Sequence, residues 1–179
     1  MATQLPKISN LTADIIRAQK AWSKGVVAIG KVSKKRKKYK RVANKMLDQL
    51  YDFNTDGSFI LFKPTLAYKK PIRVNRKQTA CYFIGCTSGD RSDGNGFALR
   101  PWKDVRFKHD FYFTQLASGD VLVMGQCEFY ENKDSETPTV TADYTFGYRR
   151  DSMRIFLHHS SRTVGEEDQK ECLAKGKGI

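Results

Sequence analysis

The chain has 179 residues, 40% hydrophobic and 28% charged, a length and balance that suit one globular domain with its own core. No apolar run approaches the roughly 20 residues that a bilayer span needs, so no membrane span is expected. The net charge of +13 points first to nucleic acid, but it is local: Lys31–Arg41 (KVSKKRKKYKR) holds eight Lys/Arg, and removing them from +13 leaves +5.

Residues 1–10 read as a flexible lead-in, without the apolar core and cleavage site of a secretory signal. From Leu11 apolar residues recur at helical spacing: Leu11, Ile15, Ala18, Trp22, Val26 and Ile29. Asn10 or Thr12 suits the N-cap, Asp14 favours the first turn, and Gly25 and Gly30 weaken the second half. The basic run follows and reads as a solvated face. A second helix is predicted through Tyr39, Val42, Met46 and Leu50, ending in a turn at Asp52–Gly57.

Beyond residue 57 the pattern turns to strands. Phe59–Pro64, Ile72–Val74 and Thr79–Gly85 are β-rich, and residues 87–96 form a loop by composition. Phe97–Leu99, Val105–Phe107, Phe111–Leu116, Val121–Tyr130, Thr139–Arg149 and Met153–Ser161 follow, with a hairpin turn at Ser118-Gly119-Asp120. Short polar connections favour antiparallel pairing. Two helices followed by a run of strands predict one α+β domain over residues 11–163. It is a curved antiparallel sheet, cone-shaped, packed on the N-terminal helices, with a polar tail over 164–179.

Of the three histidines, His158 and His159 stand together in Arg154-Ile155-Phe156-Leu157-His158-His159-Ser160-Ser161. Strand alternation puts Ile155, Leu157, His159 and Ser161 on one face, apolar until its end. That face is expected to look inward, with His159 and Ser161 lining a cavity. The adjacent histidines diverge on a strand, which disfavours a three-histidine metal site. The sequence has no Walker or G-x-G-x-x-G pattern and no nucleophile elbow. Cys81, Cys86, Cys127 and Cys172 form no C-x-x-C pair. Three of them sit in apolar segments, which favours buried reduced thiols over a disulfide framework, one bridge remaining open. Pro64 cannot donate to a ladder, so pairing ends there and frees Thr65 at a sheet margin. Tyr82 sits in an apolar run, and its buried hydroxyl needs a partner.

Five fragments in this order carry a resemblance: Leu61-Phe62-Lys63-Pro64-Thr65, Tyr82-Phe83-Ile84-Gly85, Gly96-Phe97-Ala98-Leu99, Tyr144-Thr145-Phe146-Gly147-Tyr148 and His158-His159-Ser160-Ser161. Together they resemble the iota-class carbonic anhydrases. These are related to the association domain of calcium/calmodulin-dependent protein kinase and to the nuclear-transport-factor-2-like superfamily. The resemblance covers roughly residues 12–163. It departs from the family at Arg162-Thr163, where Leu-Pro is usual, and in the basic run.

The resemblance implies a cone-shaped barrel, commonly dimeric, that hydrates CO2 to bicarbonate and a proton. No metal or other cofactor is expected, although a manganese preference has been proposed for the class. It implies Thr65, Tyr82 and a serine of the His-His-Ser-Ser segment in the pocket, read here as Ser161 by parity, with Ser160 nearby. Hydroxyls there would orient water, and His159 would relay a proton near neutral pH. Phe62, Phe83 and Phe97 would form the apolar wall for CO2. The expected partners are CO2 or bicarbonate and a second copy of the chain, with no nucleic acid. The expected location is the chloroplast in an alga, otherwise the cytoplasm or periplasm. Two other functions fit the sequence less closely. One is a non-catalytic association module. The other is phosphate binding by the basic run, which lacks interleaved aromatics.

Overall fold

The computed structural model describes residues 8–53, 59–66, 70–86 and 95–163. Helix α1 (Ile8–Lys31) and helix α2 (Arg36–Leu50) form the predicted helical pair. Buried Ile15, Gln19, Trp22, Val26 and Ile29 make one stripe of α1, at the spacing a packed helix face requires. Gly25 and Gly30 are close-approach sites rather than weak points. A Cβ at Gly25 would lie 2.7 Å from the Met46 side chain of α2, and one at Gly30 would lie 2.9 Å from the Arg100 carbonyl. The basic run spans the last residue of α1, the turn and the start of α2, and Lys34–Lys38 are exposed.

Six strands follow: β1 (Leu61–Lys63), β2 (Asp104–Phe107), β3 (Tyr112–Gln115), β4 (Val121–Tyr130), β5 (Val140–Tyr148) and β6 (Ile155–Arg162). The sheet runs β1-β6-β5-β4-β2, with β3 also on β4. The α+β class holds, but the sheet is mixed and open, not wholly antiparallel, because β1 pairs with β6 in parallel. Hairpin neighbours pair antiparallel, whereas β1 and β6 are joined by a long crossover that leaves parallel pairing open. Long β4 serves two partners along one edge: β2 pairs with Cys127–Tyr130 and β3 with Val121–Met124.

Two other stretches read as strand adopt helical turns. Thr79–Gly85 lies in helix α3 (Arg76–Ile84) and its C-cap. The Asn75 side chain accepts from the Gln78 N–H, and the Gln78 side chain accepts from the Val74 N–H. This reciprocal start resembles a capping box and overrides the β preference of Tyr82-Phe83-Ile84. Phe97–Leu99 is a 3₁₀ turn, and the Ile72–Val74 segment contributes only a bridge, Arg73 to Phe62. A disulfide joins Cys81 to Cys86, contrary to the reduced-thiol expectation, while Cys127 is free and buried. Spacing alone carried no sign that a helix end would turn Cys86 back on Cys81. The lead-in through residue 7, residues 54–58 of the turn, residues 87–94 of the loop, the tail and Cys172 lie outside the described residues.

The core is aromatic. The Trp22 ring has Phe83, Phe107, Phe129, Phe146 and His158 around it, at centroid distances from 5.8 to 6.2 Å. These rings come from α1, α3 and four strands, so the helices and sheet close over one shared interior.

Candidate active site

Strand β6 decides which side chains reach the interior. The pairing with β5 runs Phe146↔His158 and Gly147↔Leu157, then Tyr148↔Ile155, so β6 carries one extra residue. The bulge lies opposite Gly147, where a Cβ would stand 2.7 Å from the Phe156 ring and 2.8 Å from Leu157 Cβ. Only glycine leaves that room. The extra residue shifts the parity. Ile155 faces in, then His158 and Ser160, while His159 is exposed and Ser161 half-buried. The expectation that His159 and Ser161 line the cavity is corrected on this ground. A one-residue offset turns every later side chain to the other face.

β1 ends at Lys63 and Pro64 is buried. The chain then turns, and Thr65 Oγ1 comes within 2.6 Å of Ser160 Oγ, either atom being able to donate. Lys63 Nζ donates to the Ser160 carbonyl at 3.2 Å. Thr65 lines an open cleft of about 930 Å³ with Tyr82, Phe97, Trp102 and Phe129. Tyr82 is buried and stacks on Phe97, at 5.5 Å and 15° between planes. Gly96, at φ 87°, holds the turn before Phe97 against α3. A Cβ there would meet the Gly85 nitrogen at 2.5 Å. Arg162 and Arg100 also line the cleft, and Arg100 is paired with Glu131 at 2.6 Å.

Of the predicted residues, the fold brings Thr65, Tyr82 and Phe97 together at this cleft, and Ser160 is tied to it through its hydrogen bond with Thr65. Phe62 and Phe83 are fully buried behind it, stacked on each other at 5.9 Å, and neither lines it. His159 and Ser161 belong to the outer side of the sheet.

An inner polar chain, not among the sequence-based expectations, crosses the core. Trp22 Nε1 donates to the Tyr51 hydroxyl at 3.0 Å, and Tyr51 stands 2.8 Å from His158 Nδ1. The imidazole tautomer sets the direction of this bond: with the ring proton on Nε2 the Tyr51 hydroxyl donates to Nδ1, and with it on Nδ1 the ring donates to Tyr51. Burial, reinforced by the neighbouring charge of His159, lowers the His158 pKa to about 3. Phe62 stacks on its ring at 4.5 Å. The signal was present in the sequence. Gly147 inside a strand-like run marks a bulge, and a bulge exchanges His159 for His158. A second interior bond runs from Gln19 Nε2 to the Tyr144 hydroxyl at 2.7 Å. Among the described residues no three His, Cys, Asp or Glu side chains converge as a metal would require.

The chain matches the family model "metal-independent carbonic anhydrase" over residues 13–162. It is 31% identical over 159 residues to a metal-independent carbonic anhydrase of Nostoc sp. (strain PCC 7120), covering 83% of this chain and 72% of that one. Its structure is similar to that of the iota-carbonic anhydrase from a cyanobacterium complexed with bicarbonate. The TM-score is 0.71 and the identity 27%, over 93% of this chain and 100% of the other. A putative dehydratase of the NTF2-like family from Streptomyces avermitilis shares the fold, with a TM-score of 0.55 and 13% identity over 88% and 99% of the two chains. So does a putative calcium/calmodulin-dependent protein kinase II association domain from Xanthomonas campestris, with a TM-score of 0.51 and 20% identity over 90% and 93%.

Proposed function

The chain belongs to the metal-independent carbonic anhydrase family and catalyses the reversible hydration of CO2 to bicarbonate and a proton; from that premise we propose that the hydroxyl pair of Thr65 and Ser160, with Tyr82, is its reaction centre. The observation that carries this reading is the 2.6 Å contact between Thr65 Oγ1, at the wall of the cleft, and Ser160 Oγ. Hydration needs a water oriented toward the carbon of CO2 and donors for the oxygens that become bicarbonate. When one hydroxyl donates to the other, the acceptor keeps its own proton for the substrate. The Thr65–Ser160 pair can therefore hold a water and donate to a carboxyl oxygen at once. Phe97 and Phe129 give CO2 an apolar wall, and Arg162 at the margin favours the anionic product. The proton leaves through the open mouth to solvent.

Stopped-flow CO2 hydration with a pH indicator tests this on chelator-treated protein of verified metal content. Hydration is expected in the parent and is expected to fall about 10²-fold in Thr65→Val, the scale of losing a positioned donor. Parent activity in Thr65→Val overturns the site.

We also propose that the chain is a homodimer through the outer face of the sheet. Lys63, His159, Thr145, Met124 and Tyr112 form one row across five strands on that face. Tyr112 is 81% exposed and Met124 60%, an uncovered apolar patch that a second copy would bury. Light scattering is expected to give twice the chain mass for the parent and one chain mass for Met124→Lys. A monomeric parent at micromolar concentration overturns it.

A further inference from the structure

A second cleft, also about 930 Å³, lies between α1 and β2 and shares no lining residue with the first. Along α1 it runs from Ile16 to Lys31, about 22 Å at ~1.5 Å per residue. Its other wall is the unbroken run Lys103–Asp110. Consecutive strand residues point to opposite faces, so an unbroken run can line a cleft only through the edge of the strand. β2 is the end of the sheet, and among the described residues no strand pairs with its outer side.

The ladder fixes which backbone groups that edge presents. Lys108 N–H donates to the Gln126 carbonyl, and the register continues as Arg106↔Glu128 and Asp104↔Tyr130. By alternation, Val105 and Phe107 turn their peptide groups away from β4. Asp104 Oδ1 caps the Val105 N–H, leaving the Val105 carbonyl and the Phe107 peptide groups toward the cleft. The floor is apolar, from Ile16, Val27, Val105 and Phe107.

The rims are cationic. Arg106 is paired with Asp104, and Lys108 with Glu128. Among the described residues Lys20, Lys24, Lys31 and Lys103 have no ion-pair partner, against the one unpaired carboxylate, Asp110. Lys31 opens the basic run, so the positive surface continues from the cleft onto α2. Gln19, only 3% exposed, gives the cleft a polar point while donating to Tyr144.

We propose that this cleft binds an extended acidic segment of a partner protein as an added strand on β2. At ~3.3 Å per residue, about seven residues fill its length. Alternation then sends apolar side chains to the floor and carboxylates to the lysine rims, while backbone bonds form with β2. A nucleic acid fits less well, because among the described residues no exposed Phe, Tyr or Trp offers a stacking platform on these rims.

The test is fluorescence anisotropy with a labelled heptapeptide of alternating glutamate and valine. The parent is expected to bind it, more weakly as salt rises. The affinity is expected to fall about tenfold or more in the K20E/K24E/K103E variant, since rim charges set the attraction. It should fall comparably when alternate peptide nitrogens are methylated, which removes strand bonds and leaves charge unchanged. Parent-rate CO2 hydration by the triple variant verifies its fold. No binding by the parent overturns the proposal. So does equal affinity for the methylated peptide, or tighter binding of a thymidine heptanucleotide.

Discussion

Thr65 Oγ1 and Ser160 Oγ lie 2.6 Å apart, 95 positions apart in the chain. One stands just after the proline that ends β1, and the other on β6 beyond a bulge. Parallel pairing of β1 with β6 brings the two strand ends together, and neither hydroxyl would meet the other without it.

Because these hydroxyls act as one donor-acceptor pair, their removal is predicted to be non-additive. Ser160→Ala is expected to lower kcat about as far as Thr65→Val, and the double variant little further, as for groups that work as a unit. Stopped-flow rates for the three variants decide this. Multiplying losses would mean that the two residues act separately.

The bulge opposite Gly147 predicts a contrast within His-His-Ser-Ser. His159→Ala and Ser161→Ala are expected to hydrate CO2 near the parent rate, measured at a protein concentration where the oligomeric state is unchanged. A loss in Ser161→Ala equal to that in Ser160→Ala would place both faces of β6 in the reaction.

His158 makes stability depend on pH. Its folded pKa of about 3 lies below the ordinary histidine value of 6.5, so between those limits the unfolded chain binds the extra proton. The stabilisation is complete above pH 6.5 and is lost as pH falls toward 3, at up to about 1.4 kcal/mol per pH unit. Urea unfolding across this window is expected to show a shallower pH slope for His158→Phe than for the parent. Equal slopes would mean that the buried imidazole takes up a proton without unfolding.

The Cys81–Cys86 disulfide closes a short loop, with a separation of 5, at the end of the helix that carries Tyr82. A loop of that size is worth about 2 kcal/mol in the chain-entropy account. Reductant is expected to lower the parent's unfolding midpoint and to leave Cys86→Ser unmoved. Ready alkylation of Cys86 in the unreduced protein would show that the bridge is not formed.

Much of the fold was written locally. The α1 and α2 stripes, the strands from β4 to β6 and the break at Pro64 are matters of periodicity and missing donors. They appear where the sequence puts them because each is decided within about ten residues. Segments whose local preference competes with packing read differently. Tyr82-Phe83-Ile84 has the composition of a strand, yet it continues a helix that Asn75 and Gln78 start. The clue was an Asn-x-x-Gln pattern, outweighed by the β-prone residues after it.

The α+β class and the family were legible in the residues alone, as were the residue types of the proposed site: Thr65, Tyr82 and one hydroxyl of the His-His-Ser-Ser segment. That Ser160 rather than Ser161 meets Thr65 came from the three-dimensional fold. Strand parity is counted from a starting point, and one bulged residue moves the count. That residue is accommodated by space left on a different strand, where Gly147 has no side chain. The burial of His158 against Trp22, Tyr51 and Phe62 has the same origin, because a ring becomes interior only when distant segments, here three, close around it.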